Sequence, residues 1–176
     1  GALYGRAELL EALPPFLTGG SMITRVGLQD TKYMPAPIKF EAGTQRVSQA
    51  IAFAAAVRYL QHLGMENAAA WEHKLGARLV EGVQKIEGVR LLGPADPSKR
   101  AGLVALAIDG VHPHDVGQLL DTQGIAVRVG HHCAQPLHRC AGVTASTRAS
   151  TYIYNTTEDV DTFLKALAEV RPYFGL

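Results

Sequence analysis

The spacing of apolar positions changes along the chain, and each change predicts an element. From Arg46 to Leu63 the sequence is alanine-rich and helix-favouring, with Gly64 suited to a helix C-terminus. From about Asn67 to Ile86, the residues Ala68, Trp71, Leu75, Leu79, Val83 and Ile86 recur every three or four positions, which predicts a second helix with one buried face. Past Gly88 the pattern becomes strand-like. Val89–Leu92 and the apolar run Leu103–Ile108 read as strands separated by a polar loop from Pro94 to Gly102. His114–Asp121 is helical and ends near Gly124; Ile125–Val129 and Thr147–Tyr154 are strand-like. A last helix follows, capped by Thr156 or Thr157, with Glu158 and Asp159 at its positive end and Val160, Phe163, Leu164 and Leu167 on its apolar face.

The N-terminal part is less periodic. Arg6–Leu13 is helix-like and stops at Pro14-Pro15, after which Thr18-Gly19-Gly20-Ser21 and Pro35-Ala36-Pro37 mark a long loop. A loop of that length is either functional or ordered by another chain. The opening Gly1–Gly5 reads as the tail of a strand that belongs to something larger, so a fragment is expected. Two long helices followed by strands alternating with helices indicate an α+β fold with a small sheet covered on one side.

Composition narrows the partners. Lys plus Arg number 17 against 16 Asp plus Glu, which gives no basic excess to favour nucleic acid or an anionic membrane. The apolar stretches are too short to span a bilayer, so a soluble cytoplasmic protein is the default expectation. The two cysteines, Cys133 and Cys140, are too few for a disulfide framework.

The densest group of reactive side chains is Arg128-Val129-Gly130-His131-His132-Cys133-Ala134-Gln135-Pro136, directly after a predicted strand. Imidazole and guanidinium groups beside a thiol favour its nucleophilic form, and Gly130 with Pro136 places the sulfur on a turn. Two other readings stay open at this point: a buried structural thiol, and a zinc site built from His131, Cys133, His138 and Cys140, whose spacing matches no standard finger. Arg148 lies in an apolar strand and needs an anion, either a substrate carboxylate held by its planar fork or an acidic side chain; Arg128 poses the same question. The Gly19-Gly20-Ser21 turn and Thr44 at a helix start could each meet a phosphate, or be a plain turn and a plain cap.

Taken together, the residues from Arg128 to Pro136, Arg148-Ala149-Ser150 and Tyr154-Asn155-Thr156 resemble the active-site region of Suf-type, or group II, cysteine desulfurases. Gly19-Gly20-Ser21-Met22-Ile23, Phe40-Glu41-Ala42-Gly43-Thr44, His114-Asp115-Val116-Gly117 and Gly124-Ile125-Ala126-Val127-Arg128 follow in the family's order, so the resemblance covers essentially the whole chain. It implies a class V aminotransferase-like enzyme of fold-type I that uses pyridoxal 5'-phosphate (PLP). Residues 1–62 would be the end of the PLP-binding large domain, with its last strand, dimer loop and linking helix. Residues 63–176 would be the small C-terminal domain, with a mostly antiparallel sheet covered by helices.

By the same resemblance, Cys133 would take the sulfur of L-cysteine as a persulfide, leaving L-alanine, for iron–sulfur cluster assembly. Arg148 would grip the substrate carboxylate, and Arg128 and His131 would line the pocket. Thr44 would reach the PLP phosphate across a homodimer interface, near the loop of Gly19 and Gly20, and a shuttle or scaffold protein would accept the sulfur. The family's PLP lysine lies before a segment like Gly1–Tyr4, and Lys32, Lys39, Lys74, Lys85, Lys99 and Lys165 stand outside its motif, so the isolated chain is expected to be inactive alone. Gln135 stands where an apolar residue is more usual, and Cys140 is expected to be a buried thiol. Selenocysteine lyase chemistry in the same fold, or a non-catalytic module that binds zinc or a sulfur carrier, are the alternatives.

Overall fold

The computed structural model describes all 176 residues, which divide into two compact units, Gly1–His62 and Leu63–Leu176. In the first unit, helix α1 (Ala7–Ala12) ends just before Pro14-Pro15, whose rings cannot continue it. Residues 1–6 form no strand, unlike the expected strand tail. The stretch read as one long loop contains an antiparallel hairpin of β1 (Ile23–Val26) and β2 (Thr31–Tyr33). Its strands are too short to carry a period, and most of their residues are exposed, so no alternation of apolar and polar residues marked them.

Helix α2 (Val47–Leu63) follows the predicted alanine-rich run but has no buried residue. Ile51, Phe53, Val57 and Tyr59 are all exposed on it. The first unit buries only two residues, Met22 and Lys39. The Lys39 ammonium donates to the Glu11 carbonyl at 2.5 Å and lies 3.9 Å from the Glu11 carboxylate, which itself accepts from the Ala36 N–H. These bonds fasten the segment before Phe40 to α1 and account for a buried cation, which would be costly unpaired.

The second unit is built around a four-stranded antiparallel sheet in the order β3 (Val89–Leu92), β4 (Leu103–Ile108), β6 (Ser146–Ser150) and β5 (Arg128–Gly130). Val104, Leu106 and Ile108 alternate along β4 and are buried under α3 (Met65–Val83), α4 (Pro113–Asp121) and α6 (Thr157–Ala168). Leu75, Leu79 and Val83 supply the α3 face, as their spacing predicts, with Trp71 and Ile86 at its margin. Each such fully buried aliphatic side chain contributes roughly 1.5–3 kcal/mol. Trp71 also donates its indole N–H to the Asn155 carbonyl at 3.0 Å, anchoring the turn before α6. Thr156 and Asp159 exchange side-chain and backbone bonds in a full capping box, which fixes where α6 starts. A short helix α7 (Val170–Tyr173) closes the chain.

Helices α3, α4 and α6 cover one face of the sheet. On the other, the two-residue alternation puts Ala105, Arg148 and Arg128 in one cross-strand row, with Ser146 two residues from Arg148 on the same side. Both C-terminal strands are shorter than their sequence suggested. Ile125–Val127 precedes β5 without pairing, and the residues after Ser150 leave the ladder for the turn at Tyr152–Asn155, closed by the Tyr152 N–H on the Asn155 side chain.

Candidate active site

The open face of the sheet is where the reactive segment gathers. β5 leads through Gly130, at φ +115°, into His131, and then through two non-glycine residues in the left-handed region, His132 at +53° and Cys133 at +60°. Such conformations cost of order 1–3 kcal/mol each and persist only when their surroundings hold them. Here the Ala134 N–H closes a turn on the His131 carbonyl at 2.8 Å. The next residues form α5 (Gln135–Cys140), with Pro136 in its first turn where no amide is needed. This helix was not legible from periodicity, because six residues make too few turns.

Cys133 is exposed on this loop, which removes the reading of a buried structural thiol. Cys140 is exposed as well, at the end of α5, and not buried as expected: it stands two residues from the buried His138, which turns it to the opposite side of the helix. The zinc reading meets a geometric obstacle, since both ring nitrogens of His138 are already engaged, Nδ1 with the Ala134 carbonyl at 2.9 Å and Nε2 with the Ser146 hydroxyl at 2.9 Å. His131, Cys133, His138 and Cys140 do not converge as a ligand set.

The loop is tied to β6 through one hydroxyl. Ser146, fully buried, meets His132 Nε2 at 3.0 Å on one side and His138 Nε2 on the other. Two residues further along the same face stands Arg148, with Arg128 directly opposite it on β5. Neither arginine has an acidic partner, and the Arg148 Nε is buried with no hydrogen-bond partner. The structural ion pair weighed for Arg148 is therefore absent. Burial first, then the charges of Arg148, Arg128 and His138, hold His132 below the usual imidazole value of 6.5. The arrangement is a cluster of positive and neutral donors with no carboxylate among them, suited to a small anion.

His131 is exposed and its ring lies edge-on to His138, centroids 6.0 Å apart. It makes no side-chain hydrogen bond, whereas His132 is wired into the arginine face. The roles of Ser146 and His132 in that wiring left no mark in the sequence: Ser146 stands one residue before the predicted strand Thr147–Tyr154, although its two-residue spacing from Arg148 puts both on one face of β6.

In the first unit, the Gly19–Ser21 turn and the loop before α2 come together. The Gly43 N–H donates to the Gly20 carbonyl at 2.8 Å, and a Cβ on Gly19 would touch the Ala42 side chain at 3.6 Å. Ser21 at φ +70° and Gly43 at +83° shape the two bends. Thr44 is exposed, has no hydrogen bond, and does not cap α2, which begins at Val47. A cleft of about 490 Å³ opens here, lined by Phe40, Thr44, Gln45, Arg46 and Phe53 among others. None of the chain's helices is long and apolar enough to cross a membrane.

Comparison with known proteins places the chain in a family. The family Aminotransferase class-V matches residues 1–163. The chain is 50% identical over 175 residues to Probable cysteine desulfurase 2 of Mycobacterium leprae, and 47% identical to Probable cysteine desulfurase of Streptomyces coelicolor, with 99% of this chain and 42% of each relative covered. Among solved structures, the cysteine desulfurase CsdA of Escherichia coli superposes with a TM-score of 0.87 at 36% identity, covering 97% of this chain and 42% of that one. The apo cysteine desulfurase of Thermococcus onnurineus superposes with a TM-score of 0.88 at 40% identity, covering 98% and 42%. The chain thus spans about two fifths of the length of the relatives it matches, and its α+β arrangement corresponds to the C-terminal portion of fold-type I cysteine desulfurases. With its family match running from the first residue through most of α6, this chain belongs to the class-V aminotransferases.

Proposed function

We propose that these residues form the sulfur-accepting and substrate-gripping part of a Suf-type cysteine desulfurase, which converts L-cysteine to L-alanine and retains the sulfur as a persulfide on Cys133. The observation that carries the reading is the unpaired Arg148–Arg128 row beside an exposed cysteine loop, in a chain whose relatives are named cysteine desulfurases.

The roles follow from the chemistry of each group. The Arg148 fork, already partly desolvated, holds the α-carboxylate of the substrate, and Arg128 adds charge from the facing strand. His131 borders the same space. Cys133, on a loop held in left-handed geometry, presents its sulfur to the substrate thiol. One sulfur atom leaves L-cysteine, its carbon–sulfur bond replaced by a carbon–hydrogen bond, and a sulfur–sulfur bond forms at Cys133. No external oxidant or reductant is needed. A shuttle or scaffold protein of iron–sulfur assembly then takes the sulfur from an exposed position.

PLP fits the first unit's donor set: the free Thr44 hydroxyl, the Arg46 guanidinium without an acidic partner, and the Gln49 amide line one cleft and suit a phosphate. When bound, PLP supplies the electron sink that makes the carbon–sulfur bond breakable. Thr44 would hold its phosphate across a homodimer interface, beside the loop of Gly19 and Gly20. We assign the anchoring lysine to the part of the protein outside these 176 residues; Lys39, for one, is committed to Glu11. The exposed Ile51, Phe53, Val57 and Tyr59 on α2 support residues 1–62 as part of a larger PLP-binding domain, with residues 63–176 as the small domain.

The test uses the full-length protein loaded with PLP. With L-cysteine alone, mass spectrometry is expected to find one added sulfur atom on the peptide containing Cys133. Cys133→Ala is expected to abolish acceptor-dependent alanine formation. Unchanged alanine formation in that variant would refute the assignment.

A further inference from the structure

Ser146 sits between two imidazoles, and the direction of its bonds can be worked out from the fixed end of the chain. The Ala134 carbonyl can only accept, so His138 Nδ1, 2.9 Å away, must carry the hydrogen. A neutral His138 then has a bare Nε2, which accepts the Ser146 O–H at 2.9 Å. With its own proton used, the Ser146 oxygen can only accept from His132 Nε2 at 3.0 Å. His132 is left with an unprotonated Nδ1, and that atom is buried without any partner. The opposite polarity would need His138 to donate from both nitrogens. It would then carry a charge while buried, with no carboxylate among its partners.

We infer that Ser146 and His138 are positioning residues that lock His132 in its Nε2–H form, keeping Nδ1 as a free acceptor on the arginine face beside Cys133. The inference rests on the proposed function for its purpose. Arg148 and Arg128 take the substrate's carboxylate, and His132 takes a hydrogen bond from its thiol or ammonium group. The three-residue chain ends on a carbonyl, which neither gives nor takes a proton, so it is a clamp for one tautomer and not a proton wire. It also links β6 to the left-handed pair His132–Cys133, so the grip on substrate and the sulfur acceptor are held by one hydroxyl.

The clamp can be read without any turnover. Long-range proton–nitrogen spectra of the ¹⁵N-labelled full-length protein near pH 8 are expected to show His132 as pure Nε2–H and His138 as pure Nδ1–H. Ser146→Ala is expected to turn His132 into a mixture of both tautomers, and Ser146→Thr, which keeps a hydroxyl, to restore the single form. A His132 signal from Nδ1–H in the unaltered protein would overturn the inference, and this measurement does not depend on any variant folding. So would a pure Nε2–H signal in a folded Ser146→Ala protein. Neither result touches the desulfurase reading, which fails or stands on alanine formation and the Cys133 persulfide.

Discussion

Arg128 and Arg148 face one another directly across the β5–β6 ladder, two guanidinium groups with no acidic side chain paired to either. Like charges in directly opposed positions destabilise a sheet by a few tenths to about 1 kcal/mol. The pair is therefore a feature that folding alone would remove. Arg148→Gln is expected to raise the stability of the chain by about 0.5 kcal/mol at low ionic strength, with the gain shrinking in high salt as screening takes over. Thermal unfolding at two salt concentrations measures it. Under the proposed function, the same change in the full-length protein is expected to raise the KM for L-cysteine. A variant less stable than the parent in both salts would show that Arg148 stabilises the fold and is not held open for an anion.

Both thiols are exposed, one on the loop before α5 and one at the end of it. Two alkyl groups are therefore expected to add to each native chain on treatment with iodoacetamide without denaturant, and one to the Cys133→Ser variant. Intact-mass measurement counts them. A single modification in the native protein would contradict the exposure of Cys140.

What the sequence made legible depended on length and on burial. Leu75, Leu79 and Val83 announced α3 because a long helix with one buried face repeats its signal over several turns. Val104, Leu106 and Ile108 did the same for β4. The hairpin β1–β2 and helix α5 stayed hidden because each is shorter than the window in which a period can be counted, and most of their residues are exposed. At the site, Cys133, Arg128 and Arg148 stood out by residue type. The wiring among Ser146, His132 and His138 did not, because it joins a strand, a loop and a helix end through hydrogen bonds that leave no pattern along the chain.

His132 gives the protein a specific response to acid. Burial and the charges of Arg148, Arg128 and His138 hold its folded-state value below 6.5, so as pH falls through 6.5 the unfolded chain takes up a proton that the folded chain does not. The unfolded state binds more protons in that window, and stability falls as pH drops from about 6.5 toward the folded value, then levels with respect to this group. The shifted carboxylates Asp96, Asp159 and Asp161 lie below an ordinary value of 3.8 and act only at lower pH. Replacing His132 with Asn is expected to flatten the stability curve between pH 6.5 and the carboxylate range. Urea unfolding at a series of pH values tests this, and an equal slope in both proteins would mean that His132 protonates freely in the folded state.

Gly76 lies fully inside α3, where helix propensity alone argues for alanine by about 1 kcal/mol. Packing argues the other way. A Cβ at Gly76 would stand 3.0 Å from the Ala101 carbonyl oxygen and 3.2 Å from the Gly102 Cα, both backbone atoms of the segment entering β4. That segment cannot swing aside as a side-chain tip can, since the Gly102 carbonyl also accepts from the Thr151 N–H at 2.7 Å and the Thr151 hydroxyl at 2.9 Å. Overpacking against fixed backbone costs typically about 1–3 kcal/mol, which exceeds the propensity gain. Gly76→Ala is therefore expected to destabilise the protein by about 1 kcal/mol net, measured by urea unfolding at neutral pH. A more stable variant would mean that the 101–102 backbone yields freely, and that α3 approaches the sheet less tightly than these distances require.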